Sequence, residues 1–207
     1  MIVVMWRHLI WDMGGTLIDT YPAVDRTFVE VCREHGHDIP LGEVSLLTRG
    51  SIAEAGAGLA CRFAIPEARF TDAYAALKLS WRTAPPPVMR GARELLAYVR
   101  DRGGLNLVVT HRDRVSASDL LQAHDLVVDD LICAPDGLPR KSDPAMHLLA
   151  LQRHSLVPGE CLAVGDRAID AEAAEAAGLG WVMLETPGIP VGKAGGRHIT
   201  DLAELIA

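Results

Sequence analysis

Lysine is scarce in this chain. Only Lys78, Lys141 and Lys193 occur in 207 residues, and Lys and Arg form no basic cluster. With 20 Lys and Arg against 27 Asp and Glu, the formal net charge is −7. That disfavours a nucleic-acid partner, which needs concentrated positive charge. Cysteine is sparse too: Cys32, Cys61, Cys133 and Cys161 lie far apart and make no CxxC pair. Cys32, His35 and His37 are metal-ligand types, but no second cluster would complete a tetrahedral site. Reduced thiols and ordinary helix-end histidines account for them. No apolar stretch reaches the length of a membrane span. The opening MIVVMW is shorter than a secretory apolar region, and Arg7 and His8 follow it. Repeats and low-complexity tracts are absent. Together these absences predict a soluble, cytoplasmic protein with no membrane and no nucleic-acid partner. No feature separates a monomer from a homodimer.

What is present is core-forming material. Apolar residues make up 49% and charged residues 23%, which excludes a disordered chain and suits one sizeable domain, or a core with a smaller insert. After Thr110, short apolar runs alternate with amphipathic stretches, the pattern of βαβ units around a parallel sheet. Strands are predicted at 105–109, 131–133, 161–164 and 181–184. Helices are predicted at 113–123, 143–153 and 168–177, with Gly178 as a C-terminal stop, and a short final helix at 201–206. Residues 19–88 differ, with no convincing strand. Pro22 opens a helix carrying Val24, Phe28 and Val31 on one face and stopped by Gly36. Phe70, Tyr74, Leu77 and Trp81 repeat at helical spacing as a core stripe. Pro85, Pro86 and Pro87 form a stiff connector. The expected organisation is a doubly wound, Rossmann-like α/β core at 1–18 and 89–207, with a helical cap at 19–88.

In open parallel sheets, ligands bind at the carboxyl ends of strands. Four polar features fall there: Asp12, Thr110, the Lys141 region, and Asp166 with Asp170. Any one of them alone is also a turn, cap or surface residue. Together they suit a phosphate site. A carboxylate can attack phosphorus, a hydroxyl and backbone N–H groups can hold phosphoryl oxygens, and a lysine can neutralise charge. Further carboxylates can hold Mg²⁺, which prefers oxygen ligands.

The four stretches resemble the motifs of the haloacid dehalogenase (HAD) superfamily, mostly Mg²⁺-dependent phosphatases. WDMGGTLIDT resembles the first motif, LVVTHRD the second, GLPRKSDPAMHLLA the third and AVGDRAIDAEAAEAAGLG the fourth; RGARELLAYVRDRGG matches the helix before the second. The resemblance covers essentially the whole chain, with residues 19–88 in the place of the cap. It implies Asp12 as the nucleophile that forms an aspartyl-phosphate. Thr110 would bind a phosphoryl oxygen with Thr16 and His111 beside it, and Lys141 would balance charge between nucleophile and phosphate. Asp12, the Gly14 carbonyl, Asp166 and Asp170 would form the Mg²⁺ site, with Asp170 supporting Lys141 or the metal's surroundings. A small phosphorylated metabolite is the implied substrate.

The chain departs from the motif at Gly14, where the family's phosphatases carry a second acid. That acid protonates the leaving oxygen and later deprotonates water, whereas its backbone carbonyl binds Mg²⁺. Glycine keeps the carbonyl and loses the carboxyl. General acid–base help is worth about 10²–10⁴-fold, roughly 3–5 kcal/mol of barrier. An imidazole of His35, His37 or His111 can substitute in part, and His111 is best placed because it follows Thr110. Three alternatives stand beside a slow phosphatase. One is a weakened relative that binds a phosphometabolite without turnover. Another is a phosphonatase-like C–P hydrolase, which needs a cap lysine; Lys78 is the only one there, within the apolar stripe. The third, a pure interaction protein, leaves Asp12, Lys141 and Asp166 unexplained. A dehalogenase-like site needs an aromatic residue that Gly14 does not supply. The cap's arginines, Arg26, Arg49, Arg62, Arg69 and Arg82, are scattered and name no substrate.

Overall fold

The computed structural model describes residues 6–190 and 192–206; most of the opening MIVVMW lies outside the described residues. Two compact units emerge, Met1–Ile18 with Val88–Ala207, and Asp19–Pro87. Val88 goes with the first because it bridges Ile18 in antiparallel fashion, one residue earlier than the composition of the connector suggests.

The second unit is helical. It contains α1 (Tyr21–Glu34), α2 (Leu41–Gly50), α3 (Ile52–Phe63) and α4 (Glu67–Ser80). Pro22 occupies the first turn of α1, where its missing N–H costs nothing. Gly36, at φ 81°, ends that helix. Ser51 caps α3 by accepting the Glu54 N–H at 3.3 Å. The Phe28 and Phe70 rings meet edge to face at 5.2 Å. A Cβ on Gly56 would lie 3.2 Å from Phe70 Cβ, so α3 approaches the pair closely only through a glycine. Of the α4 stripe, Phe70 and Trp81 are fully buried and Tyr74 and Leu77 half-buried. Buried Asp25 accepts hydrogen bonds from Ser45 at 2.7 Å and Thr48 at 2.5 Å, with the Arg49 guanidinium 3.6 Å away. The residue pattern does not delimit α2 and α3, whose apolar positions are small or interrupted.

The first unit is a six-stranded sheet in the order β3-β2-β1-β4-β5-β6, every pair parallel. The strands are β1 (His8–Trp11), β2 (Asn106–Thr110), β3 (Asp130–Cys133), β4 (Cys161–Gly165), β5 (Gly180–Leu184) and β6 (Arg197–Ile199). β1 and β2 are buried along their whole lengths, as strands covered on both faces must be, hence the apolar runs 9–11 and 107–109 within them. Between strands run α5 (Ala92–Asp101), α6 (Arg114–Ala123), α7 (Ala145–His154) and α8 (Ala168–Ala176). Ile10, Leu107, Val109, Ile132 and Ala163 pack on Met146, Ala150 and Ala174, so α7 and α8 cover one face. Right-handed crossovers send α5 and α6 to the other. Trp11 Nε1 donates to Asn106 Oδ1 at 3.0 Å, and Asn106 Nδ2 donates to the Leu96 carbonyl, which satisfies two buried polar side chains at the sheet's centre.

Observed elements depart from the predicted ones by a residue or two at their ends. Pro144, inside the predicted span 143–153, stands at the N-cap of α7. The final helix is a 3₁₀ turn at Leu202–Leu205, capped by Asp201. β6 has no sequence counterpart, being three residues long with two polar. Among the described residues, no helix is long and apolar enough to cross a membrane.

Phe70→Ala is expected to lower stability by about 3–5 kcal/mol, read as a shift in the denaturant midpoint. A shift below about 1 kcal/mol would show that the Phe28–Phe70 pair does not hold the helical unit together.

Candidate active site

The strand order reverses between β1 and β4, so the connections from these strands diverge and leave a crevice at their carboxyl ends. Asp12 stands there. Its N–H donates to the Val164 carbonyl at 2.8 Å, which continues the β1–β4 pairing one residue past β1. The chain then turns tightly: Gly15 adopts φ 94°, and the Leu17 and Ile18 N–H groups both donate to the Met13 carbonyl. Gly15 is the residue that needs the left-handed region. Gly14 is not among the positive-φ glycines, so its backbone is one that any residue adopts. Thr16, wholly buried, donates from Oγ1 to Asp166 Oδ1 at 3.1 Å.

Lys141 reaches the same point from the connection between β3 and α7. Its buried Nζ donates to Asp12 Oδ1 at 2.6 Å and to Asp170 Oδ1 at 2.8 Å. Asp170 lies in the first turn of α8, where an acid also favours the helix dipole, and its Oδ2 accepts the Arg167 N–H at 3.0 Å. Gly165 makes this possible. A Cβ there would fall 2.3 Å from Asp170 Cβ, so any side chain at 165 displaces the acid. His111 supports the lysine from the other direction: its Nε2 accepts the Lys141 main-chain N–H at 2.7 Å. Thr110, at the end of β2, is buried, and its Oγ1 accepts the Arg112 N–H at 3.1 Å.

The charges do not balance internally. Three carboxylates, Asp12, Asp166 and Asp170, present ligand atoms within 4.8 Å of one another, against one ammonium. Burial would raise Asp170, but Lys141 and Arg167 outweigh it and hold the acid below its ordinary value. Burial raises Asp12, with Lys141 pulling the other way. Burial, then the charges of Asp12 and Asp170, push Asp166 up to about 7. Burial alone would lower Lys141, but the two carboxylates raise it above its ordinary value, so it stays protonated. Asp166 Oδ2 is buried with no hydrogen-bond partner. An orphaned carboxylate oxygen beside two more carboxylates is the donor set of a hard divalent cation, so the residues fit Mg²⁺. Bound there, a cation would favour the ionised forms that burial opposes.

The family model for haloacid dehalogenase-like hydrolases matches residues 6–178. The chain belongs to the haloacid dehalogenase-like hydrolases. It is 30% identical over 195 residues to a phosphoglycolate phosphatase of Pseudomonas putida, covering 86% of this chain and 69% of that protein. It is 32% identical over 187 residues to an N-acetylmuramic acid 6-phosphate phosphatase of the same organism, covering 83% and 79%. By enzyme class this hydrolase stands with the phosphoric-monoester hydrolases. In fold it is similar to a HAD family hydrolase of Deinococcus radiodurans solved with phosphate and sodium, at TM-score 0.82 and 21% identity over 98% of this chain and 94% of that one.

In this haloacid dehalogenase-like hydrolase, Asp12, Lys141, Asp166 and Asp170 converge within one buried cluster. Thr16 was expected beside the phosphate; its hydroxyl is spent on Asp166. His111 was expected as a substrate contact and substitute acid. Its Nε2 is instead occupied by a main-chain N–H, and burial, with Lys141 and Arg140, pushes its pKa down to about 3. His35 and His37 serve the helical unit, His35 Nδ1 lying 2.8 Å from the Val31 carbonyl and His37 stacking on Phe63. Residue types alone gave no reason to single out Gly165 or the bracing role of His111. The glycine is visible in AVGDR, but its contact with Asp170 depends on how α8 leaves β4.

Gly165→Ala is expected to cost about 1–3 kcal/mol by overpacking and to depress activity with it; a fully stable, fully active variant would refute the contact. In divalent-free hydrolase, Asp166 binds its proton more tightly folded, at about 7, than at the ordinary 3.8. Its contribution to stability is therefore present at low pH and lost as pH rises from about 4 to about 7. At neutral pH, Mg²⁺ should raise the melting temperature, and Asp166→Asn should flatten that pH slope and abolish the Mg²⁺ response. A Mg²⁺ response that survives in Asp166→Asn would contradict the site.

Proposed function

We propose that the protein is a Mg²⁺-dependent phosphatase that acts on a small phosphorylated metabolite through an aspartyl-phosphate on Asp12. The observation that carries this reading is the buried lysine shared between Asp12 and Asp170, 2.6 and 2.8 Å away, beside the orphaned oxygen of Asp166. Asp12 keeps its second oxygen for attack, while Lys141 favours its ionised form and lies where an incoming phosphoryl group adds negative charge. The Thr110 hydroxyl accepts from Arg112 and retains its own proton to donate to a phosphoryl oxygen. Asp12, Asp166 and the Gly14 carbonyl would hold Mg²⁺, with Asp170 acting mainly on Lys141 because both its oxygens are engaged. When bound, the cation neutralises phosphoryl charge and screens the carboxylates from one another.

The relatives that act on phosphoglycolate and on N-acetylmuramic acid 6-phosphate support a small, anionic or sugar-like phosphate as substrate. The helical unit serves as the cap in this reading. Gly14 favours a second reading, a relative that binds a phosphometabolite and turns it over little. The phosphonatase alternative gains no support, since the Lys78 ammonium lies 5.3 Å over the Tyr74 ring within the helical unit.

Hydrolysis of an activated aryl phosphate decides the matter. Phosphate release that requires Mg²⁺ and falls by at least about 10³-fold in Asp12→Asn is the expected result. Phosphate binding without release, in both proteins, would select the second reading.

A further inference from the structure

In the sheet unit, among the described residues, the groups around Asp12 that could hand a proton to a departing oxygen are committed elsewhere, and the Thr110 hydroxyl, aimed at a phosphoryl oxygen, is too weak an acid for that role. Lys141 Nζ donates to two carboxylates. Thr16 donates to Asp166. His111 Nε2 lies 2.7 Å from the Lys141 main-chain N–H and its Nδ1 3.0 Å from the Arg140 guanidinium, so both ring nitrogens face donors and neither is turned toward a departing oxygen. The ring is neutral, and a neutral imidazole is a very weak acid. Asp166 has one open oxygen, but it belongs to the proposed cation. Gly14, two residues beyond the attacking carboxylate, contributes main chain only. The same strand-end loops do supply positive charge. Arg112 follows His111, Arg140 precedes Lys141 and Arg167 follows Asp166; the last acts electrostatically on all three site carboxylates and on His111. This edge of the sheet stabilises anions but does not protonate them.

We propose that the substrate's leaving group departs as a stable anion: the protein hydrolyses acyl phosphates or phosphoric anhydrides in preference to alkyl phosphate esters. The proposal rests on the phosphatase reading. In the first step an Asp12 oxygen bonds to phosphorus as the bond from phosphorus to the leaving oxygen breaks, and the electron pair leaves on a carboxylate or phosphate. No proton moves. In the second step water attacks the phosphorus of the aspartyl-phosphate, the Asp12 carboxylate leaves with its electron pair, and the water's proton passes to solvent. The net reaction is acyl phosphate plus water to carboxylate, inorganic phosphate and a proton. A carboxylic acid ionises at about 4, whereas an alkoxide has the basicity of hydroxide, whose acid ionises at roughly 16. Only the latter needs a donor that this edge of the sheet lacks.

The test compares acetyl phosphate, pyrophosphate, a graded series of aryl phosphates and ethyl phosphate, with Mg²⁺, in the natural chain and in Gly14→Asp. The natural chain should show kcat/KM falling steeply as the leaving group becomes more basic, with ethyl phosphate slowest. Gly14→Asp should raise ethyl phosphate turnover relative to acetyl phosphate turnover by about 10²–10⁴-fold. Gly14→Asn, similar in shape but without a transferable proton, should keep the steep dependence of the natural chain. Faster turnover of acetyl phosphate than of pyrophosphate identifies a carboxylate leaving group, and the reverse order a phosphate leaving group. A shallow dependence in the natural chain overturns the proposal whether or not the variants fold. Phosphate release from none of the compounds removes the phosphatase reading itself, and the proposal with it.

Discussion

Three carboxylates pressed together away from water repel one another by about 4 kcal/mol per pair at 4 Å, even at an effective dielectric constant of 20. No local preference of Asp12, Asp166 or Asp170 would produce that arrangement, so the remainder of the fold must impose it. The parallel pairing of β1 with β4 carries Asp12 and Asp166 to neighbouring strand ends. The first turn of α8 carries Asp170 back over Gly165. Lys141 enters between two of them as a buried cation, and its own loop is held by the ring of His111. Each of these supports lies at the carboxyl edge of the sheet.

A site assembled this way is stable only with its charge deficit managed from outside. The lysine compensates one carboxylate, and burial partly neutralises another by raising Asp166. A divalent cation and a phosphoryl group would complete the balance together, the first answering the excess negative charge and the second the excess positive charge of lysine, arginine and metal. Substrate and cation are therefore expected to reinforce one another in binding.

Much of this was legible in the residues because the chemistry demands particular types at particular places. A carboxylate at the end of a buried run, a hydroxyl at the end of the next, a solitary lysine and a GDxxxD stretch mark out Asp12, Thr110, Lys141, Asp166 and Asp170 without coordinates. The central strands were equally plain, since two-sided burial leaves uninterrupted apolar runs. What was not legible depends on approach and not on identity. Gly165 looks like any strand-end glycine until α8 is seen to fold back over it. His111 looks like a site histidine until its Nε2 is found against a main-chain N–H. α2 and α3 bury few large side chains in a regular stripe, and β6 is too short and polar to announce itself.

The chain leaves the sheet unit at Ile18 and returns at Val88, and these two residues pair with each other. Asp19 and Pro87 are joined in the same way by a 2.9 Å main-chain hydrogen bond. To the sheet, everything between them is one long loop whose ends are already stitched, and the entropy of closing such a loop grows only logarithmically with its length. The intervening helices can therefore be shortened, enlarged or exchanged for an unrelated module at little cost to the sheet. The site at the sheet's carboxyl edge is thereby insulated from changes in the length of the insert.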